Sequence, residues 1–319
     1  MLGAGVAALS AGVAAADESR DEAWWTGPML AASAASLPQG HALIEPYLFD
    51  EVTVGRFDTS GARHEAPHEQ DLGSLTYLLY GITDLTTLGM LPRFGYNLPP
   101  GEPSSSGVGL GDLTLQAGYG VLQYRDGHLT PAVSLVVQET LPTGRYDRLE
   151  RASDGLGEGA YTTTLAVYSQ DYFWMPNGRI LRARLDVSYA FSSSVSVHDQ
   201  SVYGTSYGFS GRAYPGDEWT VDAACEYSLT RNWVPALDVI YQHSDSTRVS
   251  GSTAGSAAGA TAAVPFESAS GSSYSIGFAP AIEYNFSSTI GVLLGVRIIE
   301  IGRNTAATVT PAIAVNMVF

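Results

Sequence analysis

The sequence predicts an all-β protein, an antiparallel up-and-down transmembrane β-barrel of about twelve strands. Three observations predict it. Apolar and polar residues alternate in many segments, the connections between these segments are alternately long and short, and the last segment ends in mid-strand on Phe319. A period of two places apolar residues on one face of a strand. Transmembrane barrels combine such strands with short periplasmic turns and longer extracellular loops.

The composition fits strands that are apolar on one side and small or polar on the other. The 319 residues include 35 Gly, 18 Tyr and 10 Phe but only 16 Lys+Arg. A mean hydropathy of +0.04 does not exclude a membrane protein, because alternating strands average to near zero. The net charge of −16 argues against a nucleic-acid partner. Cys225 is the single cysteine, so no intramolecular disulfide, metal site or cofactor is expected.

The first residues predict a secretory signal. Residues 1–16 are small and apolar and end in three alanines, which resembles an h-region with its cleavage site. The basic n-region is missing, so the true start stays open, and a buried Ala-rich helix is the alternative. Residues 17–40 are irregular and contain Trp24-Trp25, which predicts a periplasmic or lumen-entering segment. The barrel is expected to occupy 41–319.

Twelve segments after this point carry the strand pattern, each of about 9–14 residues, which is long enough to cross a bilayer when tilted. The predicted strands are 42–51, 72–82, 85–93, 110–122, 129–141, 160–170, 180–192, 219–229, 232–244, 273–286, 290–300 and 307–319. Alternation is clear in the seventh, where Leu185 faces one way and Asp186 the other. No stretch after residue 16 has the run of about 18 apolar residues that a membrane helix requires.

The connections between the predicted strands alternate between long and short along the chain. Long connections are predicted at 52–71, 94–109, 142–159, 193–218 and 245–272, and short ones separate them. Only the connection at 301–306 departs from this alternation, because its position predicts a long connection and it is short. The long connections carry charged residues typical of solvated loops, and the Gly/Ser/Ala/Thr tract at 250–263 is expected to be mobile.

The final strand resembles the recognition signal of the barrel-assembly machinery. Val315, Met317 and Phe319 lie on one face of it, and the terminal Phe suits an aromatic girdle. The strand departs from the signal at Met317, where an aromatic residue is more usual.

Short motifs give a resemblance to a known family. Gly109-Leu110-Gly111-Asp112-Leu113 opens a strand, and Leu141-Pro142-Thr143-Gly144-Arg145-Tyr146-Asp147 follows the fifth strand. Together with Gly27-Pro28, Glu45-Pro46-Tyr47 and the Phe-terminated tail, they resemble outer-membrane proteins associated with the MetA pathway of phenol degradation, over residues 27–319. The resemblance implies an outer-membrane barrel that passes small, often hydrophobic or aromatic, compounds.

Charged residues on the inward faces are the candidate selectivity residues, because a pore uses such groups to choose what passes. They are Asp112, Arg182, Arg184, Asp186, Asp222, Glu226, Asp238, Glu283 and Arg297. The alternative is that they pair across strands and only stabilise the barrel. Both roles are compatible.

The residues also bear on two other functions. An outer-membrane hydrolase would need Ser and His together at one rim, but adjacent His243 and Ser244 point to opposite faces of a strand and no GxSxG motif occurs. Asp222 and Glu226 stand about 13 Å apart along one strand, too far for a glycosidase pair. No catalytic residue is therefore expected. A structural or surface-interaction barrel without transport stays open.

The sequence predicts a channel for small molecules in the outer membrane of a Gram-negative bacterium, with both termini periplasmic, and the family resemblance implies that these molecules are hydrophobic or aromatic. Its expected partners are outer-membrane lipid, the barrel-assembly machinery and a small-molecule solute. About eight strands leave a filled interior and about sixteen an open channel, so twelve predict a narrow lumen.

Overall fold

The computed structural model describes residues 23–125, 130–254 and 263–319, and the predicted signal at 1–16 lies outside them. Within these ranges the regular structure is β, apart from one 3-10 turn at Ala152–Asp154. No described helix is long and apolar enough to cross a membrane. In chain order the strands are β1 (Ala42–Phe57), β2 (Arg63–His64), β3 (Glu69–Thr83), β4 (Thr86–Leu91), β5 (Arg93–Leu98), β6 (Gly109–Leu110), β7 (Leu113–Leu122), β8 (Ala132–Leu141), β9 (Thr162–Trp174), β10 (Ile180–Ser192), β11 (Val195–His198), β12 (Phe209–Tyr214), β13 (Glu218–Tyr227), β14 (Trp233–Ser244), β15 (Arg248–Thr253), β16 (Val264–Ala269), β17 (Ser273–Asn285), β18 (Ile290–Arg303) and β19 (Thr305–Val318).

The large sheet closes on itself and confirms the predicted barrel. Its strands follow the order β1-β19-β18-β17-β14-β13-β10-β9-β8-β7-β4-β3, and β3 pairs again with β1. The closing pair runs antiparallel from Leu43 opposite Val318 to Phe57 opposite Thr305. Each strand neighbours the next along the chain, so the barrel has the up-and-down topology and the twelve wall strands that the sequence predicts.

One wall strand is not continuous, which corrects the prediction for 85–93. Pro92 separates β4 from β5, and the strand continues to Leu98. Proline has no backbone N–H and therefore cannot donate to the ladder. Its carbonyl still accepts a hydrogen bond of 3.1 Å from the Thr76 amide. Other wall strands run further than predicted, β1 to Phe57 and β18 to Arg303.

Burial alternates along the wall strands as the period of two requires. On β10, Leu185 is 48% exposed, whereas Arg184 and Asp186 on either side of it are buried. On β19, Ile313 is exposed between buried Ala312 and Ala314. The outward faces therefore form an apolar belt and the inward faces carry the polar groups, which is the arrangement of a barrel in lipid.

Two of the long loops form a second, four-stranded sheet, in the order β11-β12-β15-β16. Its core contains Val195, Val197, Phe209, Ala213 and Val249, and we call it the loop sheet. These four strands are not predicted by the sequence, and in them short alternations such as Val195-Ser196-Val197 bury one face against Phe209. Residues 250–253 of the predicted mobile tract belong to β15. Residues 255–262 lie outside the described residues.

Two other long loops are joined by hydrogen bonds near Asp154. Its Oδ1 accepts bonds of 2.7 Å from the Ser106 amide and 2.9 Å from the Ser106 hydroxyl. The neighbouring Ser153 carbonyl accepts bonds from the Ser105 hydroxyl and the Asn97 side chain. These bonds fasten the loop after β5 to the loop after β8.

Replacing Leu185 by Arg should destabilise the barrel by about 2–4 kcal/mol, because the side chain lies at the middle of β10 on the lipid-facing side. Chemical unfolding in lipid vesicles measures the loss. Leu185→Ile is the matched control, and a volume-conserving change should cost about 1 kcal/mol or less. Equal stabilities for the Arg and Ile variants would place Leu185 away from lipid.

The loop junction at Asp154 should open in acid. Hydrogen bonds from Ser106 hold the pKa of Asp154 below its usual value of 3.8. The stabilisation is therefore complete above that value and is lost as the pH falls through the lowered pKa. Pepsin cleavage of the loop at 99–108 should rise as the pH falls below that usual value. Asp154→Ala should be cleaved readily above and below it, and a wild-type cleavage rate that tracks the rate of the Asp154→Ala variant would contradict the assignment.

Candidate functional site

Seven of the nine predicted lumen residues lie together on four neighbouring strands. Their side chains are all buried. They are Arg182, Arg184, Asp186, Asp222, Glu226, Asp238 and Glu283. Arg182 faces Glu226 and Asp186 faces Asp222 across the β10–β13 ladder. The five carboxylates, which we call the acidic wall, outnumber the two arginines.

Glu226, one member of the acidic wall, forms ion pairs with both arginines. Arg182 donates from Nε to Glu226 Oε2 at 2.6 Å and from Nη2 to Oε1, a bidentate pair. Arg184 Nε lies 3.3 Å from the same Oε2. A bidentate pair to a fully buried carboxylate is strong and directional. Cross-strand pairing, the structural alternative considered for these residues, therefore accounts for Glu226.

Three other carboxylates of the acidic wall accept hydrogen bonds from the backbone of residues 23–40, which we call the inner segment. Asp238 accepts from three consecutive amides, with Met29 N at 3.0 Å from Oδ2 and Ala31 N at 3.0 Å from Oδ1. The third is Leu30 N at 3.3 Å. Asp186 accepts from Ala32 N at 2.7 Å. Glu283 Oε2 accepts from Thr26 N at 2.6 Å and from Gly27 N at 3.2 Å.

The inner segment continues along the inside of the barrel toward β4. Leu37 N donates to Thr87 Oγ1 at 3.1 Å, and Gln39 N donates to Asp84 Oδ1 at 3.0 Å. The segment thus crosses from β17 past β14 and β10 to the β3–β4 turn, with its amides directed at polar groups of the wall.

The side chains of the inner segment pack on the opposite wall. Met29 belongs to a buried cluster with Leu293 of β18 and Ala314 of β19, and Leu30 packs against it. Glycine gives the segment room at Gly291, where a Cβ would stand only 1.9 Å from Thr26 Oγ1. On the acidic side, the Arg182 guanidinium lies 4.6 Å from the centre of the Trp25 ring. The segment therefore occupies the bore at this level.

The remaining predicted residues lie elsewhere. Asp112 stands in the outer loops, where it accepts hydrogen bonds from Gly144 N at 2.8 Å and from Glu158 N at 2.7 Å. Arg297 pairs with Glu51 at 2.5 Å on the far wall. Of the predicted assembly signal, Val315 and Met317 are half-buried on β19 and Phe319 is 66% exposed. Their recognition by the assembly machinery stays a prediction.

Sequence reasoning missed several inward polar groups because they are uncharged. Gln170 is buried on β9 and accepts a bond of 3.4 Å from Ser33 Oγ. Asn285 accepts from Thr26 Oγ1 at 2.8 Å and donates to the Trp24 carbonyl at 3.0 Å. Their inward positions on strands of known facing were the available signal.

The structure separates the two residues of the hydrolase alternative. Ser244 donates to Glu218 Oε2 at 3.3 Å, whereas His243 Nε2 lies 3.4 Å from Asp245. Within the described residues no group of three or more His, Cys, Asp or Glu side chains is placed to hold a metal ion.

A cavity of about 660 Å³ lies at the outer end of the bore. Inward residues of the wall, such as Thr164, Ser192 and Glu218, form one side of it. Glu158, Tyr203 and the loop sheet form the other. The bore is thus wide beneath the outer loops and filled at the level of the inner segment.

Comparison with known proteins extends this description. A family model described as "Putative MetA-pathway of phenol degradation" matches residues 48–310. An outer membrane channel from Pseudomonas putida F1 superposes with a TM-score of 0.66 at 17% identity, covering 90% of this chain and 98% of that one. This likeness concerns the fold.

More distant barrels are also similar. The β domain of the Bordetella autotransporter BrkA gives a TM-score of 0.44 at 11% identity, covering 88% of this chain and 100% of that one. The Ralstonia pickettii toluene transporter TbuX gives 0.40 at 10% identity, covering 93% and 95%. Comparison with curated protein sequences gave no match.

Replacing Asp238 by Ala should loosen the inner segment, because three amides lose a charged acceptor. Hydrogen exchange of the Met29, Leu30 and Ala31 amides should speed up by about tenfold or more, since such bonds contribute about 1.5–3 kcal/mol. Asp222→Ala is the control, because Asp222 Oδ1 is buried without a hydrogen-bond partner among the described residues. Unchanged exchange in the Asp238 variant would show that the segment is held by its side chains alone.

Proposed function

The chain belongs to the family associated with the MetA pathway of phenol degradation, and from this premise we propose that it is an outer-membrane channel for small, hydrophobic or aromatic molecules. It spans the outer membrane of a Gram-negative bacterium with both termini periplasmic. Lipid surrounds the barrel, and the assembly machinery inserts it by the Val315, Met317 and Phe319 face.

The observation that carries this proposal is that the closed barrel wall is apolar on its outer face and polar on its inner face. Exposed apolar side chains cover the outside, while the acidic wall and its arginines lie inside. A barrel of this kind offers a solute a polar path that lipid does not. The twelve-stranded size suits single small molecules rather than bulk solvent.

The inner segment is the gate of this path. It is attached to the wall by hydrogen bonds of its backbone amides, by the Ala31 carbonyl that accepts from Arg184 Nη1, and by the packing of Met29. Residues 23–37 form no strand. Displacing it therefore leaves the closing ladder between β1 and β19 intact. Water replaces the amide donors on Asp186 and Asp238, so the net free energy of displacement is much smaller than the gross hydrogen-bond energy.

A structural barrel without transport is the competing function, and the filled bore and the bidentate Glu226 pair favour it. The two functions differ in what happens when the segment moves. In a channel, the acidic wall becomes the lining of an open path. In a purely structural barrel, its loss only destabilises the fold.

Conductance across planar bilayers tests the channel. The full chain should conduct weakly, and a variant lacking 23–37 should conduct several-fold more, with blockage by aromatic solutes. Asp186→Ala should change the conductance more than the unfolding midpoint, because Asp186 faces the bore and accepts a bond from Ala32. Glu300→Ala, at an exposed site, is the control and should change neither.

The structural alternative makes the opposite prediction. If the shortened chain folds, as judged by heat-shifted electrophoretic mobility, yet conducts no better than protein-free bilayers, the transport proposal is wrong. Asp186→Ala would then lower stability with no conductance to alter.

A further inference from the structure

The outer cavity is large enough for a single-ring solute. Its volume of about 660 Å³ lies within the range of ordinary ligand pockets, about 300–1,000 Å³. The wall strands β9, β10, β13 and β14 enclose it on one side, and the loop sheet with the loop after β8 encloses it on the other. A solute that enters from the loop side meets this cavity before it reaches the inner segment.

Hydroxyl groups dominate the lining of the cavity. Those of the wall come from Thr162, Thr164, Ser192 and Ser244, and the loops add Ser268 and Ser270. A hydroxyl donates one hydrogen bond and accepts others. Such a lining serves a solute that carries one or two polar groups on an apolar ring, and the apolar surface of Val202 and Val249 completes it.

The described charged side chains that line the cavity are all acidic. Glu158, Glu218 and Asp245 line it, and no Lys, Arg or His is among its described lining residues. His243, which faces away from the cavity, has its Nε2 3.4 Å from Asp245 Oδ1. Among the described residues, Thr220 and Ser244 each donate one long hydrogen bond of 3.3 Å to the Glu218 carboxylate. Its carboxylate therefore keeps the capacity to accept a hydrogen bond from a solute.

Glu158 is fixed in place by its backbone rather than by its side chain. Its amide donates to Asp112 at 2.7 Å, and its carbonyl accepts from the Tyr203 hydroxyl at 2.6 Å. Desolvation raises the pKa of Glu158, and the charges of Asp112 and Glu218 add to the rise against the opposing charge of Arg93. Glu158 and Glu218 thus line the same cavity from opposite sides, and both carboxylates contribute negative charge to it.

We propose that the outer cavity binds neutral, hydrogen-bonding or cationic single-ring solutes and discriminates against anionic ones such as aromatic carboxylates and sulfonates. The inference rests on the proposed function, of which it names the substrate class. An anion in this space meets like charge from three carboxylates without a cation in the lining to offset it. A phenolic or alcoholic hydroxyl instead donates to Glu218 and exchanges bonds with the threonines and serines.

Equilibrium binding to the detergent-solubilised full chain tests the proposal with three probes of one ring size. Benzyltrimethylammonium should bind about tenfold or more tightly than benzenesulfonate at low salt, with benzyl alcohol between them. The double variant Glu158→Gln, Glu218→Gln keeps the shape of the lining and removes two charges. It should reduce the ratio of cation to anion affinity to about threefold or less. Glu300→Gln, which removes an exposed charge away from the cavity, should leave the ratio unchanged.

Three outcomes would overturn the proposal: benzenesulfonate binding as tightly as the cation, an unchanged ratio in the double variant, or no binding of any probe. The conductance measurement is independent of these results. Discrimination in the binding assay without conductance would reject the channel and keep the site. Conductance without discrimination would reject the site and keep the channel.

Discussion

Closure of the sheet by its first and last strands is the constraint on which the rest of the structure depends. An unpaired edge would expose a row of backbone N–H and C=O groups, and lipid offers these groups no partner. The ladder between β1 and β19 removes both edges along their length, from Leu43 opposite Val318 to Phe57 opposite Thr305. Once the ring is closed, strand twist and tilt are set, and every second side chain must point into a space of fixed width.

That fixed interior explains the charges that it holds. A buried carboxylate without a partner is costly, so each needs a cation, a donor or a proton. The acidic side of the bore supplies two arginines, and both contact Glu226, with Arg184 also donating from Nη1 to the Ala31 carbonyl. For Asp238, Asp186 and Glu283, the hydrogen-bond donors are instead the backbone amides of the inner segment. A segment without charged side chains at Met29 to Ala32 can thus be held by charge-assisted bonds, because the charge is carried by the wall.

The sequence predicts the features that depend on local periodicity. The period of two in β10 assigns Leu185 to the outside and Asp186 to the inside, and burial agrees at both positions. The strand count and the alternation of loop lengths follow from the same pattern. It does not predict which wall residue the inner segment meets, because Thr26 and Glu283 are 257 residues apart and no local signal links them. The loop sheet was missed because β11 and β12 are too short for periodicity to separate them from irregular loop.

The two ways in which the carboxylates are satisfied have different consequences for a channel. The arginines that hold Glu226 belong to the wall, on β10, so their bonds to Glu226 remain when the inner segment moves, although Arg184 also donates to the Ala31 carbonyl of the segment at 2.8 Å. The donors to Asp238 belong to a segment that pairs with no wall strand at this level, so water can replace them when the segment leaves. Closure by backbone groups therefore exposes carboxylate acceptors on opening. It also removes one acceptor, the Ala31 carbonyl at 2.8 Å, from Arg184 Nη1, while Glu226 stays 3.3 Å from Arg184 Nε. A plug held by its own arginines would leave the bore and the plug with unpaired charges at once, and its release would be far more costly.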